Sequence, residues 1–245
     1  MQLKIYNLYH TEVYLLLFIS IILGSSGCNI FGNTSHLATG ARFLDLENYD
    51  IAISRYAQAI EEDPTLAEAY LGRGKASYGL RRFREAVEDY TKVIMLDANS
   101  ASAYHHRGLA YDSMGEYDKA IADFTKALTF NPGSASTYKS RGTTFGHMGQ
   151  NYEALQDYDT ALELDPDYAS AYSGRASILF RIGEPDQALK DKTNAINLEP
   201  KIAHYYSERA FIFKFLGELN MAKSDRDEAC TLDAKYCDPS QIVPE

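Results

Sequence analysis

Apolar positions recur along most of the chain at helical spacing, and the whole pattern repeats every 34 residues with no insertion. It is clearest in 101–134, where the marked residues are Tyr104, Gly108, Tyr111, Gly115, Tyr117, Ala120, Phe124, Ala127 and Pro132. Counted within the repeat, Tyr104, Gly108 and Tyr111 stand at positions 4, 8 and 11. Steps of four and three line one stripe of a helix. Ala120, Phe124 and Ala127, at positions 20, 24 and 27, form a second such stripe. Glycine at position 15 suits the turn between them, and proline near position 32 stops the second helix. Small residues at positions 8 and 20 let the two helices approach closely: Gly74 with Ala86, Gly108 with Ala120, Gly142 with Ala154.

The repeats are 33–66, 67–100, 101–134, 135–168, 169–202 and 203–236. Each predicts a helix-turn-helix hairpin whose apolar face cannot be buried alone, so stacked neighbours share one core. Departures are local. Asn151 and Pro185 replace the aromatic at position 17; Lys192 and Arg226 replace the aromatic at position 24; Ala98 and Ala234 replace the proline. The last second helix carries Lys223, Asp225 and Arg226, which gives the end of the stack the polar outer face it needs. Position 7 is arginine in repeats two to six (Arg73, Arg107, Arg141, Arg175, Arg209), and position 23 is aspartate in the same repeats (Asp89, Asp123, Asp157, Asp191, Asp225). The first repeat has neither, with Thr39 and Arg55 in those places. Their joint loss predicts an ion pair between the two helices of one repeat. The rival reading is a row of arginines open to a ligand.

This pattern resembles the tetratricopeptide repeat (TPR) family over 33–236. The resemblance implies an all-α, right-handed solenoid of six helix-turn-helix repeats. In that family the first helix of each repeat lines a concave groove through positions 2, 5, 9 and 12, with 6 and 13 nearby. Here those positions offer Lys75 and Tyr78; His105, Leu109 and Asp112; Lys139 and Thr143; Phe180 and Arg181; and Phe211, Lys214 and Phe215. The resemblance implies a peptide or helix of a protein partner in that groove. The plainer alternative makes most of these residues solvated or packed between repeats. No three successive repeats carry the lysine, asparagine and arginine set with which some TPR co-chaperones clamp a C-terminal carboxylate.

The N-terminus is a separate feature. Val13–Leu23 is an apolar run broken only by Ser20. It is short for a bilayer core of about 30 Å and reads, with Gly24, Ser25, Ser26 and Gly27 after it, as a secretory signal over 1–27. Its end at Cys28 resembles the lipobox of bacterial lipoproteins, in which such a cysteine is acylated. Gly27 and Ser26 fit; Ser25 stands where that family favours leucine. Ordinary cleavage near Gly27 and an uncleaved signal anchor are the other two readings. All three place the rest outside the cytoplasm. A linker, 28–32, would hold the repeats close to the membrane. The localisation expected is the cell envelope, lipid-anchored and facing the periplasm or exterior. Asn29 after the cysteine favours an outer membrane where one exists. In that compartment Cys230 and Cys237 are placed to form a disulfide, with two free thiols as the alternative. The tail is 237–245.

Charge and chemistry narrow the function. The formal net charge is −10 and there is no lysine- or arginine-rich run, so nucleic acid is not expected as a partner. No phosphate loop, nucleophile elbow or metal motif is present. Adjacent His105 and His106 point about 100° apart on a helix and cannot chelate one ion from one face. No cofactor, metal or catalysis is expected. The expected function is a non-enzymatic scaffold or adaptor, lipid-anchored at a bacterial envelope membrane. The alternative is a soluble exported module that binds a small peptide or glycan.

Overall fold

The computed structural model describes residues 36–237. The stretch expected to be a signal, Cys28 with the residues expected as its linker, and the residues after Cys237 lie outside the described residues. Among the described residues there are helices and no strand. The first helices of the repeats are α1 (36–45), α3 (Ala67–Gly79), α5 (Ala101–Ser113), α7 (Ala135–His147), α9 (Ala169–Arg181) and α11 (Ala203–Phe215). The second helices are α2 (Tyr49–Glu62), α4 (Phe83–Leu96), α6 (Tyr117–Phe130), α8 (Asn151–Leu164), α10 (Pro185–Leu198) and α12 (Leu219–Leu232). A 3-10 turn, Ala234–Cys237, follows α12.

The chain divides into two compact units, one ending at Asn99 and one beginning at Ser100. In the first, α3 packs against both α2 and α4. In the second, every helix from α5 to α12 packs against its successor, and the 3-10 turn lies on α12. First helices of the second unit also touch across repeats, α5 with α7 and α7 with α9.

Local chemistry explains the hairpins. Gly115, Gly149, Gly183 and Gly217 have φ between 75° and 86°, a region where a Cβ is costly. The next N–H then reaches the carbonyl five residues back: Glu116 to Tyr111, Gln150 to Phe145, Glu184 to Leu179 and Glu218 to Phe213, each at 2.9 Å. This helix-ending motif satisfies carbonyls that would otherwise lack a partner. The first two turns take the same shape with Glu47 and Arg81 at φ 55° and 59°, so those turns carry backbone strain.

Between repeats the aromatic at position 24 meets glycine. The Tyr158 ring is 3% exposed, and a Cβ on Gly174 of the next repeat would lie 2.6 Å from it. Its hydroxyl is held by Thr143 Oγ1 at 2.9 Å, so the ring cannot swing aside without losing that bond. Tyr56 meets Gly72 in the same way. Gly174→Ala is expected to destabilise the protein by about 1–3 kcal/mol, although alanine is the better helix former by about 1 kcal/mol. Thermal unfolding checks the sign: a higher midpoint would show that propensity outweighs the clash.

The last described repeat has a more polar second helix. Positions 21, 24 and 28, which are Leu155, Tyr158 and Leu162 in repeat four, become Lys223, Arg226 and Cys230. Consequently α12 buries only Asp225 and Ala229, whereas α8 buries Ala154, Asp157, Tyr158, Ala161 and Leu162. A disulfide joins Cys230 to Cys237, with Cα atoms 4.5 Å apart. It ties the 3-10 turn back to the helix.

Candidate interaction face

The arginines at position 7 are occupied. Each grips the aspartate sixteen residues on through Nε and Nη2. The distances are 2.9 and 2.7 Å for Arg73–Asp89 and 2.7 and 2.8 Å for Arg107–Asp123. They are 2.8 and 2.8 Å for Arg141–Asp157, 2.7 and 2.9 Å for Arg175–Asp191, and 2.7 and 2.8 Å for Arg209–Asp225. All five aspartates are buried. Paired hydrogen bonds between charged groups are the strong kind. The bond to Asp157 holds the Arg141 guanidinium above its ordinary pKa, against the opposing effect of burial. The third arm reaches position 25 of the preceding repeat: Arg141 Nη1 to Thr125 at 3.0 Å, Arg175 to Asp159 at 2.7 Å, Arg209 to Thr193 at 3.2 Å. The arginine row therefore fastens the helices, each guanidinium being engaged by its aspartate. The intra-repeat pairing was legible in the sequence; the reach to position 25 was not foreseen.

The first helices of the second unit form a polar, hydrogen-bonded face. His105 Nδ1 is 3.0 Å from Thr137 Oγ1, and its ring lies 5.7 Å from that of Phe124. Asp112 accepts from Thr144 Oγ1 at 2.8 Å and faces His147 Nδ1 at 3.2 Å. The bond to Asp112 raises the His147 pKa, with burial and Arg181 opposing. Lys139 is half-buried, and burial lowers its pKa while Asp112 draws it back. Arg181 Nη1 donates to the Gly146 carbonyl at 2.6 Å. The Phe180 ring meets Phe211 and Phe215 edge-on, at 5.4 and 5.1 Å. Leu109 is half-buried and Lys214 exposed.

The structure thus brings His105, Leu109, Asp112, Lys139, Thr143, Phe180, Arg181, Phe211 and Lys214 into one unit. Much of their hydrogen-bonding capacity stitches one first helix to the next. Lys75 and Tyr78 belong to the first unit, on α3, where the Tyr78 ring packs against Phe83 at 5.3 Å.

Sequence reasoning missed a buried polar cluster on the same face. Lys192, at the aromatic position 24, is 1% exposed. Its Nζ donates to the Ser173 carbonyl at 2.9 Å, to Ser173 Oγ at 2.6 Å and to Glu208 Oε2 at 2.5 Å. Glu208 also accepts from Ser173 Oγ at 3.2 Å, and His204 Nε2 stands 3.2 Å away. Burial lowers the Lys192 pKa, and Glu208 counters it. The signal lay in two facing departures. Lysine stands where repeat four has Tyr158, and Glu208 stands where repeat five has Gly174.

A cleft between α8, α9 and α10 is lined by Asp159, Tyr172, Arg175, Gln187, Lys190 and Asn194. Among the described residues no group of three or more histidine, cysteine or acidic side chains is placed to hold a metal ion. No helix among them is long and apolar enough to cross a membrane.

Comparison with known proteins gives a consistent picture. Tetratricopeptide repeat models match residues 37–91 and 101–134, and a TPR repeat model matches 147–183. Together these ranges span about half the chain. Among solved structures the chain is similar to MamA, at 28% identity and TM-score 0.59, over 68% of this chain and 97% of that one. It is similar to pilF of Pseudomonas aeruginosa at 18% identity and TM-score 0.72, over 84% and 94%. It is also similar to YrrB, a TPR protein with an unusual peptide-binding site, at 22% identity and TM-score 0.56, over 74% and 94%. The last two likenesses speak to the fold alone. A search of curated proteins finds no match.

Proposed function

Since the chain belongs to the tetratricopeptide repeat family, we propose that it is a non-catalytic scaffold that binds a peptide or helix of a protein partner on its first-helix face. The observation that carries this reading is the Phe180, Phe211 and Phe215 cluster. It stands on that face beside exposed Lys214, and Phe215 itself is 67% exposed. Exposed aromatics beside polar groups are the usual anchors of protein recognition. A protein of the same fold, YrrB, has a peptide-binding site, so the fold is one that takes peptides.

The same reading places the protein at a bacterial envelope membrane through an acylated Cys28, facing the periplasm or exterior. The support is the apolar run and the small residues before that cysteine. One acyl chain holds a protein only marginally, and two hold it stably. The test is fractionation of the full chain expressed in a bacterial host, with mass analysis of its N-terminal peptide. The wild type is expected in the membrane fraction, released by detergent, with a lipid-modified Cys28. Cys28→Ser is expected in the soluble fraction. Wild-type protein that is freely soluble with an unmodified N-terminus would overturn the anchor and favour the exported soluble module.

A further inference from the structure

Resting on the first-helix face as the binding surface, the geometry points to its occupant: an acidic segment of a partner protein that carries a bulky apolar side chain. Its carboxylates lie against Lys139, Arg181 and Lys214, and its apolar side chain covers the Phe180, Phe211 and Phe215 cluster.

Charge is the first argument. Setting aside Arg107, Arg141, Arg175 and Arg209, each neutralised by its buried aspartate, the permanent cations on the first helices of repeats three to six, with Lys192 beneath them, are Lys139, Arg181, Lys192 and Lys214, against Asp112 and Glu208. Both carboxylates are engaged. Asp112 holds Thr144 and His147, and Glu208 holds Lys192 and Ser173. Among the described residues Lys139, Arg181 and Lys214 form no ion pair. This cationic face belongs to a chain of formal charge −10, with exposed acids elsewhere, for example Glu153 and Glu163 on α8. An acidic segment is attracted to the first-helix face.

Shape is the second argument. Position 13 is His147 in repeat four and Arg181 in repeat five, then Phe215 in repeat six. That phenyl turns back onto Phe180 and is left 67% exposed. The three rings form a ledge one helical turn long, with Arg181 and Lys214 adjacent in sequence to two of them. An apolar anchor between cations matches a segment that alternates carboxylates with a phenylalanine or leucine.

The test titrates three labelled heptapeptides against the exported full chain carrying Cys28→Ser, read by fluorescence anisotropy. The acidic probe is Asp-Glu-Asp-Phe-Glu-Leu-Asp. The second replaces its acids with the matching amides, and the third replaces them with lysine. The acidic probe is expected to bind at least about tenfold more tightly than either other probe, and less tightly as salt rises. Lys214→Glu and Phe215→Ser are each expected to weaken it by about tenfold with thermal midpoints near the wild type. Equal or tighter binding of the amide or lysine probe overturns the charge assignment and leaves the face itself as the binding surface. Acidic binding that survives both substitutions overturns the location. Binding of none of the three overturns the proposal. In that case, capture on phosphatidylglycerol vesicles lost with Phe215→Ser would assign the ledge to a membrane surface.

Discussion

Arg141→Ala is expected to lower the stability of the protein by about 3 kcal/mol, and Asp157→Ala by about 3–5 kcal/mol. Both ends of this pair are largely out of water: the side chains are 19% and 6% exposed. Removing the arginine orphans a buried carboxylate and also frees Thr125. Removing the aspartate leaves a guanidinium held against Tyr138 with no counter-charge in place. The double variant leaves neither charge alone, so the two costs do not add. A double-mutant cycle on chemical unfolding is expected to show a coupling of about 2 kcal/mol or more. A coupling near zero would contradict the intra-repeat pairing as a source of stability. Stacked repeats can unfold in parts, so hydrogen exchange of α7 and α8 should report the same loss locally.

Glu208→Ala is expected to be as severe, at about 3–5 kcal/mol, because it strands the Lys192 ammonium in a site that is 1% exposed. Lys192→Met is milder, since Glu208 is 23% exposed and finds water. The informative variant changes both. Lys192→Tyr with Glu208→Gly rebuilds the contact that Tyr158 makes with Gly174 one repeat earlier. Replacing a buried ion pair with well-packed apolar groups is often neutral or stabilising. The double variant is therefore expected within about 1 kcal/mol of the wild type, or above it. Thermal and denaturant midpoints decide this. A double variant as unstable as Glu208→Ala would show that the cluster does more than replace an aromatic contact.

These two sites show how much the sequence disclosed. Steps of four and three placed the helices because a helix turns every 3.6 residues, and the fixed period placed their starts. The joint absence of arginine and aspartate from the first repeat identified the pair inside a repeat. Contacts between repeats were harder, because they depend on how far one hairpin is rotated on the next. That rotation brings Arg175 to Asp159, His105 to Thr137 and Lys192 to Glu208, and no spacing within one helix encodes it. For the same reason His105 and Asp112, singled out as groove residues, turn out to be hydrogen-bonded across repeats, while Thr143 bonds to Tyr158 within its own repeat. Lys214 and Phe215 stay open on α11, where no further repeat follows in the described residues. Glycine at position 15 was readable in repeats three to six, while Glu47 and Arg81 hold the same left-handed turn without its chemistry.

The central claim is that partners bind on the first helices. A photo-crosslinking residue placed at Thr143 or Phe211, on that face, and in parallel at Glu163 or Lys190, on exposed second-helix positions, tests it in cells that export the full chain. The account predicts a specific crosslinked partner from Thr143 and Phe211 and none from Glu163 or Lys190. Crosslinks from Glu163 or Lys190, with none from Thr143 or Phe211, would contradict it and move the binding surface to the second helices and their cleft.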